Sequence, residues 1–264
     1  MWTTDSAETT ALSRSAAQAP AFGQILGCDL PHIGAPDRVL LRGLALIASR
    51  SIVSIEGLQH ILPARDPFIL AANHSTMHES VLVPSMLFLH RGGKRIHFLA
   101  DWNYRLVPGI GLIYRRAGVV TVLRKPARPP ALNFLKGLYK HFPAPRHDAR
   151  DHLVAGRSIG IFPEGQVNED SQNLLRGRHG AARLSLETGV PVVPMGIRFP
   201  EAEAGRRTRS KSVMELVIGA PMAPEKVAEA RASLSEVRAW HATIMGEIAR
   251  LSNMIWTDGA SRGR

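Results

Sequence analysis

The sequence predicts a single α/β domain in which helices flank a mainly parallel central sheet. The chain has 264 residues, which is enough for one sizeable domain and too few for two average ones. Its composition, 45% hydrophobic and 21% charged residues, is ordinary for a globular protein and excludes a disordered or low-complexity chain. Short apolar runs alternate with segments of helical pattern, as expected for α/β units around a parallel sheet.

The first 36 residues predict a mobile N-terminal arm, and residues 37–264 are expected to form the domain. The arm begins with an acidic and polar stretch, Met1-Trp-Thr-Thr-Asp5. It therefore lacks the basic start and the apolar middle of a secretory signal.

Residues 39–55 are largely apolar and predict an amphipathic helix. Arg42 and Arg50 interrupt the run, whereas a helix that spans a membrane needs about 20 mostly apolar residues with few charges. Arg38, Arg42 and Ala45 lie on one narrow stripe, and leucine and isoleucine side chains cover the broad remainder. The pattern suits a membrane-associated helix in a bilayer interface with its arginines near the headgroups. It suits equally a helix that packs on the protein's own core.

Six short apolar runs predict the strands of the sheet, and the segments between and after them predict its helices. The predicted strands are residues 68–72, 96–100, 119–123, 158–162, 191–197 and 213–218. The predicted helices are residues 80–89, 130–142, 147–155, 181–187 and 224–250. Pro84 is expected to bend the first of these helices unless it lies in the first turn. Ligands of such folds bind at the carboxyl ends of the strands.

The net charge indicates the class of partner, and the cysteine content indicates the cellular compartment. The formal net charge of +11 favours an anionic partner: a nucleic acid, a phospholipid surface or a phosphorylated small molecule. Three tyrosines, four tryptophans and the lack of a recognisable nucleic-acid motif argue against nucleic acid. The single cysteine, Cys28, excludes an internal disulfide and a cysteine-built zinc site, and it fits a reducing cytoplasm.

Asn73, His74 and Glu79 follow directly after the first predicted strand. Five residues of regular helix turn by about 140° net, so His74 and Glu79 would not share a helix face, but a loop that leads into a helix can bring them together. A carboxylate that holds the Nδ1–H of an imidazole fixes its tautomer and leaves the other nitrogen free to accept a proton. The alternative interpretation is a surface loop with a hydrogen-bonded histidine.

Two further predicted strands end in residues of chemical interest. Phe162-Pro-Glu-Gly165 follows the fourth strand, and its proline and glycine predict a tight turn that presents Glu164 to a cleft. Residues 118–124 form a strand that ends in Arg124, whose guanidinium can hold a phosphate through two hydrogen bonds. Each pattern alone is ordinary. Their fixed order at the ends of three strands of one sheet indicates a functional site.

These patterns, in their order along the chain, resemble the motifs of the glycerolipid acyltransferases related to 1-acylglycerol-3-phosphate O-acyltransferase. The first motif of that family, N-H-x-x-x-x-D, corresponds to Asn73, His74 and, in the aspartate place, Glu79. The others are a G-x-x-x-I-x-R strand, F-P-E-G, a basic-x-Gly-Ala-Ala stretch and V-P-V-V-P. They correspond to residues 118–124, 162–165, 178–182 and 190–194. The resemblance covers residues 68–197, about half of the chain.

The resemblance implies an acyltransferase domain that moves a fatty acyl group from a thioester to a hydroxyl of a lysophospholipid or related lysolipid. The thioester would be acyl-CoA or acyl carrier protein, and no metal or bound cofactor is implied. The catalytic residues would be His74 as the general base and Glu79 as the carboxylate that orients it. A backbone N–H near the start of the following helix would stabilise the oxyanion. Substrate-binding roles are implied for Asn73, Arg124, Glu164, Gly165 and Arg178.

Together with the single cysteine and the helix over residues 39–55, these features predict a peripheral or monotopic protein. It is expected on the cytoplasmic face of a membrane, bound to an anionic lipid surface. Two positions depart from the family pattern. Glu79 keeps the charge of the aspartate but is one methylene longer, so the loop or the imidazole must adjust. Asp101 stands where a lysine is common, which points towards a polar lipid headgroup other than a phosphate.

Three alternative interpretations compete with this one. Residues 156–160 match the G-x-S-x-G string of serine hydrolases, but Ser158 opens a strand after a helix, the reverse of the hydrolase elbow. His74 and His78 could share a helix face as metal ligands, but the sequence offers no evident third ligand. The basic surface and the amphipathic helix would also fit a catalytically inactive acyltransferase fold that acts as a membrane- or lipid-binding module.

Overall fold

The computed structural model describes residues 17–18, 20–123, 126, 134–135, 145–200, 212–225 and 232–258. Within these residues the strands are β1 (Ala17–Gln18), β2 (Ile52–Glu56), β3 (Ile69–Ala72), β4 (His97–Asp101), β5 (Val120–Val122), β6 (Ile159–Ile161), β7 (Val192–Arg198) and β8 (Met214–Ile218). The helices are α1 (Phe22–Gly27), α2 (Ala35–Ala48), α3 (Glu79–His90), α4 (Ile110–Ala117), α5 (Pro145–Val154), α6 (Gly180–Thr188) and α7 (Leu234–Ser252).

The strands form one mainly parallel sheet in the order β1-β2-β8-β7-β3-β6-β4-β5. Among the described strands, the pairings of β1 with β2 and of β7 with β8 are antiparallel, and the other five are parallel. The predicted fold class is therefore confirmed, and the six predicted strands are present as β3 to β8. The strands β7, β3, β6, β4 and β5 run in one direction, so their carboxyl ends share one edge of the sheet.

Helices cover both faces of the sheet, which divides the core into two hydrophobic clusters. α2 and α3 pack on one face, and α5, α6 and α7 pack on the other. Successive residues of β3 point to opposite faces: Leu70 and Ala72 join the first cluster, and Ile69 and Ala71 the second. Burial on both faces explains why this strand reads as an unbroken apolar run.

The apolar stretch over residues 39–55 is a helix followed by a strand, which differs from the predicted helix. α2 ends at Ala48, and the chain turns through residues 49–51 before β2 begins. The turn is polar and short, and the β-branched residues after it favour a strand. Continuous hydrophobicity across both elements concealed the boundary between them.

α2 packs on the protein's own core. Leu41, Ala45 and Ala48 are buried in the first cluster. Arg38 donates to the carbonyl oxygens of Leu30 and Ile33, and Arg42 donates to that of Cys28. The two arginines thus hold the segment that precedes the helix. Among the described residues, no helix combines the length and the low charge that crossing a bilayer requires.

The second half of the predicted arm also packs on the domain. α1 lies within residues 1–36, and Ile25 and Leu30 are buried in the first cluster. Isolated apolar residues in a polar stretch carried too weak a periodicity to predict this contact. Residues 1–16 and 19 lie outside the described residues.

Three helices differ in detail from the prediction. α7 begins at Leu234 and not at residue 224, because Ser233 and Glu236 form a capping box that starts the helix there. α4 occupies residues for which the sequence predicted no helix. Pro84 lies inside α3, beyond the first turn, and is buried. The predicted helix over residues 130–142 is described only at residues 134–135.

Candidate active site

The loop after β3 brings His74 and Glu79 into contact. Glu79 is the first residue of α3, and its Oε2 lies 3.1 Å from Nδ1 of His74. A carboxylate only accepts hydrogen bonds, so Nδ1 donates in this bond, and in the neutral form of the imidazole the lone pair is then on Nε2. The loop that leads into a helix thus achieves the pairing that a regular helix would not allow.

The side chain of Glu79, one methylene longer than that of an aspartate, brings its carboxylate to the backbone of the loop that precedes it. Its oxygens accept the backbone N–H groups of Ser75, at 2.9 and 3.2 Å, and of Thr76, at 2.8 Å. The Glu79 side chain is fully buried. These bonds fix the carboxylate in one position. They also occupy the N–H groups of residues 75 and 76, which are therefore not free to bind an oxyanion.

The imidazole of His74 is held between the carboxylate and an aromatic ring. It stacks on Phe162, with ring centroids 4.4 Å apart and an angle of 23° between the planes. The side chain of His74 is 11% exposed, and this exposed part faces the large cavity described below. Stacking and the Nδ1 hydrogen bond together leave the ring little freedom to rotate.

Glu164 is buried and bonds to the protein, in contrast to the sequence-based expectation that it faces a cleft. Its Oε1 accepts the backbone N–H of His74 at 2.9 Å, and its Oε2 accepts from Asn168 Nδ2 at 2.8 Å and from Leu175 N at 2.9 Å. Burial raises the pKa of the Glu164 carboxyl, and these hydrogen bonds oppose that shift. Glu164 therefore joins the loop after β3 to the loop after β6.

Gly165 and Arg178 lie against each other at the cavity wall. Gly165 has φ of +69°, and a Cβ at this position would come within 2.5 Å of Arg178 Nε. Both residues line the cavity, and the side chain of Arg178 is exposed. The glycine lets the guanidinium stem pass close to the backbone of the turn.

The remaining predicted site residues are Asn73 and Arg124. Asn73 is buried, and its amide donates to the carbonyl oxygen of Ile197 and accepts from its N–H, at 3.0 and 2.7 Å. It joins β3 to β7 and is not part of the cavity lining, because both of its hydrogen-bonding ends are engaged by the strand. Arg124 lies outside the described residues.

A cavity of about 960 Å³ opens beside His74 at the carboxyl ends of the strands. Its walls are partly apolar and partly charged. The apolar lining comes from residues of β4 to β6 and the loops after them, and includes Phe98, Leu99, Val122, Ile161 and Phe162. The charged lining comprises Asp101, Arg146, Arg178 and Arg183. Arg146 forms an ion pair with Glu187, whereas the other two arginines form no ion pair within the described residues.

An apolar groove adjoins the cavity between α2, α3 and α4. It shares four lining residues with the cavity: Ser80, Phe98, Tyr114 and Val119. Leu40, Leu44, Val81, Pro84 and Ile113 continue its wall towards α2. Burial raises the pKa of the Tyr114 hydroxyl, while a hydrogen bond with Ser80 opposes the shift, so this phenol stays neutral at physiological pH.

The sequence-based reading missed Asn168, Phe162 as a stacking partner, and the tyrosines of the cavity wall. Asn168 lies four residues after Glu164 and donates to it, but no pattern marks such a pair in a loop. Ser158 is the serine of the G-x-S-x-G string. It is buried at the start of β6, where its hydroxyl accepts the N–H of Phe68 and donates to Asp66, so it lies at the edge of the sheet opposite His74.

Comparisons with known proteins identify the family and the fold of the chain. The model of the family described as Acyltransferase matches residues 53–198, more than half of the chain. A crystal structure of the 1-acyl-sn-glycerophosphate (LPA) acyltransferase PlsC from Thermotoga maritima superimposes with a TM-score of 0.55, at 19% sequence identity and over 89% of each chain. No curated protein gives a significant match. The matched segment contains His74, Glu79 and Glu164. Because the family model covers more than half of the chain, the chain belongs to the Acyltransferase family, with the fold of the glycerolipid acyltransferases and the activity of an acyltransferase enzyme.

Proposed function

We propose that the protein transfers a fatty acyl group from an acyl thioester to a hydroxyl of a lysophospholipid or related lysolipid. The donor is acyl-CoA or acyl carrier protein. The observation that carries the proposal is the bond between His74 and Glu79 at the wall of a cavity of about 960 Å³. Cavities of roughly 300–1,000 Å³ are typical of small-molecule sites.

His74 acts as the general base of the reaction. Its Nε2 takes the proton of the acceptor hydroxyl as the oxygen attacks the thioester carbonyl. Glu79 holds Nδ1 and stabilises the imidazolium that forms. The tetrahedral intermediate then expels the thiolate, which recovers the proton from His74 and leaves as the free thiol. The acyl group ends as an ester on the acceptor.

Anionic groups of the acceptor or the donor bind to the basic wall of the cavity. Arg178 and Arg183 line it and form no ion pair within the described residues. A guanidinium can bind a phosphate or a carboxylate through two parallel hydrogen bonds. Arg124, which lies outside the described residues, is proposed for the same role on the basis of the sequence motif alone.

The acyl chain occupies apolar surface that leads away from His74. The cavity wall supplies Phe98, Ile161 and Phe162, and the adjoining groove supplies Leu40 and Leu44 from α2. Each methylene removed from water contributes about 0.8 kcal/mol, so a long chain gains enough to hold the reacting carbonyl near the base.

The protein binds the cytoplasmic surface of a membrane through α1 and α2. Phe22 and Leu26 are exposed one turn apart on α1, and Val39 and Ile47 are exposed two turns apart on α2. Exposed apolar rows on short helices suit insertion at the level of the headgroups, and the net charge of +11 favours anionic lipid.

The acyl-transfer proposal is tested by thiol release. The purified protein is incubated with acyl-CoA, or with acyl carrier protein, and a panel of lysolipids, and the lipid products are identified by mass spectrometry. The parent protein is expected to release thiol and form a diacyl product, and His74→Ala is expected to do neither. His78→Ala is the matched control, because His78 is exposed in the same loop. Silence of the parent with both donors across the panel would support the catalytically inactive lipid-binding module.

The membrane proposal is tested by co-sedimentation with vesicles of phosphatidylglycerol and phosphatidylethanolamine. The double variant Val39→Ser and Ile47→Ser is expected to lose binding. Val154→Ser serves as the control, since Val154 is an equally exposed apolar residue at the end of α5. Equal binding by the parent and the double variant would contradict docking through α2.

A further inference from the structure

Asp101 is a carboxylate in the cavity of an enzyme whose expected substrates are anionic. It is the last residue of β4 and so stands at the same edge of the sheet as His74. β6 lies between β3 and β4. Since neighbouring strands are about 4.8 Å apart, Asp101 stands about 10 Å across the edge from the loop that carries His74. A lysolipid could therefore place its hydroxyl at His74 and its headgroup at Asp101.

One oxygen of Asp101 is engaged by the protein. Oδ1 accepts from the backbone N–H of Asn103 at 3.0 Å and from its Nδ2 at 2.7 Å, and so caps the 3₁₀ helix Trp102–Leu106. Among the described residues, Oδ2 has no hydrogen-bond partner, and no lysine or arginine forms an ion pair with the carboxylate. Asp101 thus presents a negative charge to the cavity.

Two aromatic rings line the same cavity as this carboxylate. Tyr104 and Tyr114 both line the cavity, and their ring centroids are 5.8 Å apart with an angle of 56° between the planes. Asp101 is near enough to Tyr114 to act on it electrostatically. A carboxylate combined with tyrosine faces is the chemistry that binds an ammonium group, through an ion pair and through cation–π contacts.

Positive charge lies on another part of the cavity wall, which the loop after β6 and α6 form. Arg178 and Arg183 line the same cavity there. A headgroup that is only anionic would gain from the arginines but would be repelled by Asp101, and this repulsion acts against it as a substrate. A headgroup that also carries an amine could bind the arginines through its anionic group and Asp101 through its amine.

We propose that the acceptor is a zwitterionic lysolipid, whose cationic amine binds between Asp101, Tyr104 and Tyr114 while its anionic group binds Arg178 and Arg183. This inference rests on the proposed acyl transfer and deepens it by naming the charge class of the acceptor. Asp101 is a residue that determines specificity: it contacts the amine and takes no part in the proton transfer.

The test compares kcat/KM for lysophosphatidylethanolamine, lysophosphatidylcholine, lysophosphatidylglycerol and lysophosphatidic acid. The first two carry a primary and a quaternary amine, and the last two carry none. The parent is expected to prefer the amine-bearing acceptors. Asp101→Asn keeps an oxygen that can cap the 3₁₀ helix and loses the charge. It is expected to reduce kcat/KM for these two acceptors about tenfold or more, with an equal or higher value for lysophosphatidic acid.

Two controls keep the outcomes separate. Asp29→Asn removes one exposed carboxylate outside the cavity lining and is expected to leave the preference unchanged. Asp101→Lys is expected to invert the preference towards lysophosphatidic acid. If Asp101→Asn folds, transfers acyl groups and keeps the parent's preference, Asp101 is only a cap and the inference fails while acyl transfer stands. If the parent transfers to no acceptor of any charge class, both proposals fail.

Discussion

The carboxylate of Glu164 accepts a hydrogen bond from the backbone N–H of His74 at 2.9 Å and thereby joins the turn after β6 to the loop after β3. The two residues are 90 positions apart in the sequence. The same carboxylate holds Asn168 and Leu175. The glutamate of the F-P-E-G motif therefore holds the backbone of the histidine in place. Within the same turn, Gly165 lines the cavity and Glu164 does not.

Replacing Glu164 by Gln is expected to lower both stability and turnover. The amide NH₂ of a glutamine would face N–H donors that now share two carboxylate oxygens, so at least one donor would lose its acceptor. Leaving a buried polar group unsatisfied costs about 1–3 kcal/mol. Chemical denaturation measures the free energy of unfolding, and kcat is expected to fall more than KM changes. Glu225→Gln, at an exposed position, is the control. Unchanged stability would show that the three bonds contribute little.

Two variants at position 79 separate the roles of charge and length. Glu79→Gln keeps the length but removes the charge that stabilises an imidazolium, and kcat is expected to fall about 10²–10⁴-fold. Glu79→Asp keeps the charge but withdraws the carboxylate by one methylene from Ser75, Thr76 and the imidazole, and a smaller loss is expected. Steady-state kinetics at saturating donor measures both. Full activity of the glutamine variant would exclude the proposed role of Glu79.

Gly165→Ala is expected to displace Arg178. The new methyl would lie 2.5 Å from Arg178 Nε, and the φ of +69° disfavours any side chain. We expect a higher KM for an acceptor whose anionic group binds Arg178, with a smaller change in kcat. Gly156→Ala is a matched control, because Gly156 has φ of +73° and no neighbouring atom within 4 Å of the added methyl. If both variants behave alike, backbone strain and not the arginine accounts for the effect.

His97 is expected to make the protein less stable in mild acid. Burial lowers the pKa of His97 to about 4, with further lowering by His152, Arg157 and Arg95 and opposition from the hydrogen bond to the Gly118 carbonyl. Between about pH 4 and 6.5 the unfolded chain binds more protons than the folded one, so stability is lost as pH falls through this window. The loss, reduced for solvent screening, is about 1–2 kcal/mol.

The measurement is the free energy of unfolding at pH 7 and at pH 4.5. His97→Asn can still donate to the Gly118 carbonyl and is expected to show a smaller loss than the parent, whereas His147→Asn, on the exposed surface of α5, is expected to show the same loss as the parent. An identical pH dependence of the parent and His97→Asn would contradict the assignment.

The sequence predicted the elements whose signal is local. The buried strands β3 to β8 read as apolar runs, and the motifs named His74, Glu79, Glu164 and Arg178 in their order along the chain. Where one apolar stretch contained two elements, as in α2 and β2, hydrophobicity alone could not show the turn between them. A capping box at Ser233 and Glu236 was a local signal for the start of α7 that hydrophobic periodicity outweighed in the prediction.

The sequence by itself determined which chemistry the chain carries, because the residue types of each motif and their order at the ends of strands are written in the local pattern. Only the tertiary structure decided which way the side chains face. Contacts between residues far apart in the sequence turn Asn73 and Glu164 inward onto the backbone and leave Asp101 and Arg178 on the cavity wall. Whether a polar side chain binds the protein or a ligand depends on which partners the packed fold brings within hydrogen-bond distance.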